Sequence, residues 1–347
     1  MSALSTEFVH VLCKREGFAA SGISPVNTSK FEQEFFDWIA EGKHGEMDWL
    51  SKNIQVRMNP TKLLEGAQSL ICVLDRYSDV NSELRDSNEG WIARYAVGRD
   101  YHKQMKKRLH RVCDSLSEVS GESFRACVDT APILEREVAA NAGLGAIGKN
   151  TLLLEQGVGS WFFIGIIVTT AKLTPNVPNT SNPCQSCTKC IDACPTDAIT
   201  PFSVDATKCI SYLTIEHRSE IDEPFHEHIG NWLFGCDICQ EVCPHNQHTQ
   251  NSSNAIPNSY YVSNRTSFNI LEVLQWTEED RMQELAGSAM KRAKLYMLKR
   301  NALIVAGNIL RSEIDEDLMH AVKAISQDES EDLVVRETAK NVLKRIC

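Results

Sequence analysis

No stretch of this 347-residue chain approaches the roughly 18 consecutive apolar residues needed to cross a bilayer. The longest apolar run, WFFIGIIVTTAKL from Trp161, is short and β-branched and reads as a buried strand. The opening residues, MSALSTEFVHVLCKREG, lack the apolar core of a secretory leader, so the expectation is a cytoplasmic protein with no membrane partner and reduced thiols. Basic residues are in the minority. There are 36 Lys and Arg against 46 Asp and Glu, and the formal net charge of −10 taken alone argues against a nucleic-acid partner. The charged fraction of 24% and hydrophobic fraction of 42% are ordinary for a globular chain, and the length allows two or three domains.

Cysteine is plentiful and unevenly spread: eight of thirteen fall between Cys184 and Cys243. The run CQSCTKCIDACP places Cys184, Cys187, Cys190 and Cys194 at the C-x2-C-x2-C-x3-C-P spacing of bacterial ferredoxins. A second run, CDICQEVCP, holds Cys236, Cys239 and Cys243 and lacks a leading cysteine, which the isolated Cys209 can supply. In two-cluster ferredoxins the fourth cysteine of each run ligates the other cluster. The expected sets are therefore Cys184, Cys187, Cys190 with Cys243, and Cys209, Cys236, Cys239 with Cys194. Zinc is the competing use of paired C-x2-C units, but three evenly spaced cysteines before a Cys-Pro step, twice over, suit it poorly. Cys13, Cys72, Cys113, Cys127 and Cys347 share no ligand spacing and read as small buried hydrophobes or idle thiols. Two four-iron clusters move single electrons, and the question becomes what receives them.

Before the cysteines, helix and strand signals alternate. Phe8, Val11 and Leu12 predict a helix over 5–16, stopped by Gly17. SLICVLDRY and SFRACVDT predict strands. Met105, Leu109, Val112 and Leu116 predict a helix over 100–118, and ILEREVAANAG predicts another, ended by Gly143. This alternation suggests a layered α/β domain over residues 1–170. A ferredoxin-like domain with two clusters follows over 171–250. The polar stretch HNQHTQNSSNAIPNS reads as a linker. From about residue 270 the pattern is wholly helical. RNALIVAGNIL and RETAKNVLKRI begin 36 residues apart, at Arg300 and Arg336, which fits an all-α HEAT-like region over 265–347 or a plain helical cap. The whole is an α+β multidomain chain. Two runs oppose its acidic average: Lys103 to Arg111 has five basic residues and no acid, and Lys291, Arg292, Lys294, Lys299 and Arg300 form another. Such runs are ordinarily solvated helix faces, but two of them keep an RNA partner open.

Three loci before the cysteines could hold a reactive partner. GLGAIGKNT imitates a dinucleotide fingerprint, yet it ends a helix rather than opening one, and it reads as a tight turn with Lys149 and Asn150 as polar contacts. Asp100 and His102 resemble the start of a cobalt-ligating D-x-H-x-x-G motif, but Met105 stands where Gly is required, leaving His102 an ordinary histidine. Asp129, at a strand end before Pro132, is either a turn or cap residue or a proton donor whose pKa burial raises.

Taken together, RMNP from Arg57, ARYAVGRDYH from Ala93, VDTAPILERE from Val128, GLGAIGKNT, KCISYLTIEHR from Lys208 and FGCDICQEVCPHN from Phe234 are similar to the epoxyqueuosine reductases. The likeness extends to RNALIVAGN and so covers most of the chain. It implies a cobalamin-binding domain akin to reductive dehalogenases, and two [4Fe-4S] clusters that reduce cobalamin to cob(I)alamin. It also implies removal of the epoxide oxygen of epoxyqueuosine at the wobble position of a tRNA anticodon, leaving queuosine. By the same resemblance Asp129 is the proton donor, and it lines the corrinoid pocket together with Arg57, Tyr95, Asn150, Ser160, Ser211 and Gln240. The stretch Lys291, Arg292, Lys294, Lys299 and Arg300 faces tRNA. An external electron donor and a monomeric state are expected. Ala146, Asp197 and His245 depart from the family pattern. The alternatives are a related corrinoid and iron–sulfur reductase acting on a small molecule, or an electron-transfer module.

Overall fold

The computed structural model describes residues 4–77, 85–86, 88–155, 158–247, 257–263 and 265–346. Cys347 and most of the polar stretch read as a linker lie outside the described residues.

Four strands make the largest sheet, in the order Ala20–Pro25, Ser69–Arg76, Phe162–Thr169, Phe124–Cys127. Every pairing is antiparallel, with Ile71 opposite Ile167 and Cys127 opposite Ile166. Successive side chains of a strand point to opposite faces. Ile71, Val73, Phe163 and Ile167 accordingly pack on one face under the helices Thr6–Arg15 and Tyr101–Val119. Leu70, Cys72, Leu74, Ile166 and Val168 pack on the other, against Val138 and Ala139 of the helix Glu135–Asn141. Both faces are covered, which is why the central strands read as unbroken apolar runs.

The layering expected from strand–helix alternation is present, and the chain is mixed helix and sheet. Alternation normally accompanies parallel strands. Here no neighbouring pair in this sheet is parallel, so the N-terminal layer is of α+β rather than α/β type. The helix Tyr101–Val119 buries Met105, Leu109, Val112 and Leu116, the four residues that predicted it. In the first helix the apolar face is rotated from expectation: Val9, Leu12 and Cys13 are buried, whereas Phe8 and Val11 face outward at 37% and 53% exposure.

The C-terminal helices Leu295–Ser312, Glu316–Gln327 and Leu333–Ile346 carry the two similar segments on the first and third. Their core is shared, since Leu298, Ala302, Val335 and Val342 belong to one cluster with Ile92, Leu233 and Phe234. A three-stranded sheet formed by Glu89–Ile92, Trp232–Phe234 and Ser267–Asn269 ties the three regions of sequence together. Among the described residues no helix is long and apolar enough to cross a membrane.

Candidate redox and acid–base site

The two cysteine runs turn through helices of one turn each, Lys189–Asp192 and Ile238–Glu241, because a proline follows each terminal cysteine and cannot continue them. Folding gathers the thiols into two neighbouring groups. Cys190 is pushed up in pKa by burial and then by Cys184, Cys243 and Cys187 beside it. Cys243 is likewise raised by burial and by Cys184 and Cys187. In the other group Cys239 is raised by burial, then by Cys209 among others including Cys194, and Cys236 by burial, then by Cys239 and Cys209. The influences cross between the runs: Cys184 and Cys187 act on Cys243, and Cys194 on Cys209 and Cys239, while Cys190 also reaches Cys239. Among the described residues no three His, Cys, Asp or Glu side chains close to the spacing of a single bound metal ion.

Neighbouring segments hold these runs in place. The glycine-rich GLGAIGKNT is a hairpin: Ala146–Ile147 pairs with Leu153–Leu154, and its tip meets both runs. The Lys149 amide donates to the Cys184 sulfur at 3.3 Å and its ammonium to the Cys187 carbonyl at 2.9 Å. Asn150 donates to the Cys239 carbonyl at 3.5 Å. On the far side of the second run, Arg85 reaches Asp237 and Glu241 at 3.2 and 2.8 Å, and Arg94 adds a bond to Glu241 at 3.0 Å.

Beside the second thiol group lies a cavity of about 1550 Å³. Drug-sized pockets occupy roughly 300–1,000 Å³, so this space suits a large cofactor together with part of a substrate. Arg57, Tyr95, Asp129, Asn150, Ser160, Ser211 and Gln240 all line it, although they come from positions spread over 183 residues, the difference between 57 and 240. Cys194, Cys209, Cys236 and Cys239 line it as well, while Cys184, Cys187, Cys190 and Cys243 are set back from it. The wall mixes one unsatisfied cation with polar groups that bond one another. The Arg57 Nε is buried without a hydrogen-bond partner. Ser160 donates to Gln240 at 3.0 Å, and its amide donates to Asn246 at 2.7 Å. Gly159, at φ +85°, permits this approach, because a Cβ there would collide with the Asn246 side chain. The Arg57 cation thus has hydrogen-bonding capacity free for an acceptor within the cavity, whereas Ser160 and Gln240 are bonded to each other.

Asp129 forms the acid–base corner of the cavity, 35% exposed at its side chain. Tyr101, stacked on Phe163 with ring centroids 4.0 Å apart, donates its hydroxyl to one carboxylate oxygen. His102 Nε2 lies 2.9 Å from the other, and His102 Nδ1 lies 2.8 Å from Asp100. Asp100 is also the N-cap of the Tyr101–Val119 helix, accepting from the His102 amide at 3.1 Å. The D-x-H segment is therefore a helix start that aims His102 at Asp129, and His102 is no ordinary histidine.

This geometry corrects the expectation that burial keeps Asp129 protonated. Burial does push its pKa up. The hydrogen bond and charge of His102, the Tyr101 hydroxyl and the nearby Arg292 outweigh that and hold it below the usual carboxylate range. His102 shows the reverse: burial would lower it, but Asp129 and Asp100 hold it above the ordinary histidine value. The two shifts push the pair's proton affinities apart, away from the carboxylate and toward the imidazole. The sequence singled out His102 only through a motif that Met105 breaks and gave no signal for Tyr101; the pairing of a helix start with a strand end is what reveals their role.

The basic C-terminal stretch is only partly a surface. Arg300 is fully buried and donates to the carbonyls of His217, Ser219 and Leu213 at 2.7, 2.6 and 2.7 Å; burial pushes its pKa down to about 10. It is a clasp between the helical region and the cysteine-bearing region and cannot face RNA. Lys299 is engaged as well, 12% exposed and paired with Glu331 at 2.7 Å. Lys291 and Lys294 are exposed, and Arg292 is bound to Glu216 at 2.5 Å over the Trp49 ring. The sequence run mixed these roles because charge alone does not reveal which side of a helix meets the core.

Four-thiol groups beside a large cavity with an acid–base corner define an iron–sulfur oxidoreductase. Residues 183–246 match the family described as a 4Fe-4S double cluster binding domain, and residues 57–130 match the epoxyqueuosine reductase QueG, DUF1730 family. The epoxyqueuosine reductase of Xanthomonas campestris pv. campestris is 37% identical over 336 residues, covering 95% of this chain and 92% of the relative. That of Escherichia coli is 35% identical over 317 residues, covering 89% and 81%. A crystal structure of epoxyqueuosine reductase with an epoxyqueuosine-modified tRNA-Tyr stem loop superposes with a TM-score of 0.84 at 25% identity, covering 98% of this chain and 89% of that one. The chain belongs to the epoxyqueuosine reductase family.

Proposed function

We propose that this protein reduces epoxyqueuosine to queuosine at the wobble position of tRNA. The observation that carries the reading is the convergence, on one cavity, of Asp129, the six other positions implied by family resemblance, and the thiols of a single group. Removing an epoxide oxygen as water and leaving an alkene consumes two electrons and two protons. Two [4Fe-4S] clusters, one on each thiol group, supply one-electron transfer. A cobalamin held by Arg57, Tyr95, Asn150, Ser160, Ser211 and Gln240 supplies a nucleophilic, strongly reducing cobalt centre.

The protein's own residues position the substrate and manage the protons. Asp129 faces the reacting oxygen and passes on a proton held by His102, while Tyr101 fixes the carboxylate. Asp100 anchors the imidazole so that Nε2 points at Asp129. A wobble nucleotide extruded from the anticodon loop enters beside this corner, and Lys291, Arg292 and Lys294 contact the RNA backbone. On this reading residues 1–170 and 171–250 share the cofactor cavity, the latter also carry the electrons, and helical residues 265–347 meet the RNA. The protein works as a cytoplasmic monomer with an external electron donor.

The test is turnover by anaerobically reconstituted protein supplied with cobalamin, a low-potential reductant and tRNA containing epoxyqueuosine. Mass spectrometry of the digested RNA should show queuosine only when cobalamin is present. Full conversion without cobalamin would sink the cofactor assignment, and no conversion under any condition would sink the function.

A further inference from the structure

The second basic run, Lys103 to Arg111, is not used by the site described above. Its placement on the Tyr101–Val119 helix separates its members. Arg108 turns inward and pairs with the buried Asp75, and Arg111 is held by Glu16 at 2.7 Å. Lys103, Lys106, Lys107 and His110 remain exposed. Their spacing of three, four and seven residues puts them on one face, opposite the buried Met105, Leu109 and Val112. The three lysines make no ion pair among the described residues, and the first acid after them on the helix is Asp114. Like charges three and four residues apart weaken a helix rather than support it. In a chain with ten more acids than bases, such a face calls for a counter-charge from outside.

The face begins at the acid–base corner. Tyr101 and His102, which grip Asp129, occupy the first turn of the same helix, and Lys103 follows them directly. Lys106 is close enough to Cys127, two residues before Asp129, to lower its thiol pKa against the larger effect of burial. The Asp100 amide donates to the Gly287 carbonyl at 2.6 Å, bringing the helix start against the segment that leads to Lys291 and Arg292. Exposed Arg99 lies at the same junction.

We propose that Lys103, Lys106 and Lys107 form a second phosphate-binding strip. They would grip the RNA backbone beside the Asp129 corner, extending the contact made by Lys291, Arg292 and Lys294 across the junction of Asp100 with Gly287. This rests on the tRNA-reducing reading above. It adds a contact surface at the N-terminal helix to the one inferred from the C-terminal stretch.

The experiment compares intact, cluster-loaded protein with the triple variant Lys103→Gln, Lys106→Gln, Lys107→Gln. A control triple, Lys14→Gln, Lys323→Gln, Lys344→Gln, makes the same change in net charge at exposed positions elsewhere. The probe is an anticodon stem-loop RNA titrated across a series of salt concentrations. Loss of three phosphate contacts should lower the magnitude of the slope of log K against log salt by about 2 and weaken binding at least about tenfold near 0.1 M salt. The control triple should leave both within error of the unsubstituted protein. Equal weakening by both triples would reduce the strip to bulk charge and overturn the proposal, as would an unchanged slope in the first triple. A raised requirement for an acidic electron-donor protein at unaltered RNA affinity would assign the face to that donor and also overturn it. If the unsubstituted protein fails to bind the RNA, the failure belongs to the functional reading itself.

Discussion

The cavity has two working walls, and they are built by different rules. The electron wall consists of Cys194, Cys236 and Cys239 from the two short Cys-Pro runs together with the isolated Cys209, just before the Ile210–Ile215 helix. The proton wall consists of Asp129 at a strand end and Tyr101 and His102 at a helix start, joined only because that helix packs on the sheet. Metal ligation needs a fixed donor type at a nearly fixed spacing. Proton handling needs a pair of groups whose surroundings push their affinities apart, and any distant segments can supply it. The electron wall therefore has a spacing signature, whereas the proton wall offers only isolated candidates, Asp129 and His102, that no spacing joins.

Breaking the electron wall should have the largest effect. Cys209→Ser removes a thiol from the cavity-side group, so iron content should fall by about half while the Cys184, Cys187, Cys190 and Cys243 cluster persists by electron paramagnetic resonance. Turnover should vanish. Retention of both clusters would show that the grouping of ligands is different. Breaking the proton wall instead, Asp129→Asn should keep both clusters and lower turnover about a thousandfold, within the range of general acid catalysis. An undiminished rate would remove Asp129 from the proton path.

Arg300→Met tests whether the clasp between regions is structural. Three backbone carbonyls lose a charged donor in a fully buried site, so stability should fall by about 3 kcal/mol in denaturant unfolding. The salt dependence of RNA binding should be unmoved. A flattened salt slope with unchanged stability would return Arg300 to the RNA face.

The smallest expected effect is a pH shift. The pKa of His102 is raised in the folded protein, so its contribution to stability is complete below its unfolded value near ~6.5 and disappears as pH rises through the folded value. Asp129, lowered on folding, contributes above its unfolded value near ~3.9 and loses that contribution as pH falls through its folded value. The alkaline limb of kcat/KM should accordingly lie above about pH 6.5. It should be absent in His102→Gln, and an unaltered limb in that variant would place the transferred proton elsewhere.

Several features were legible because they are local. The Met105, Leu109, Val112 and Leu116 stripe specifies a helix by its period, and the segments from Ser69 and Trp161 specify strands by unbroken apolar character. The rotated first helix shows the limit of such patterns: Phe8 and Val11 satisfy helical spacing, yet Val9 and Cys13 meet the sheet. The antiparallel order of that sheet was illegible for a related reason, since alternating elements do not specify the direction from which each strand enters.

By itself, the sequence determined the thiol chemistry, the helices and strands with strong periods, and membership of a family with known motifs. These depend on residue type at short separation. Tertiary structure alone decided that Arg300 is buried in a clasp while Lys103 is exposed, although both belong to basic runs. It also decided that Asp129 is held below and His102 above its ordinary value. Burial and charge pairing are set by what lies across the fold, and electrostatic energies vary with those distances and with access to water, neither of which is written in the order of residues along the chain.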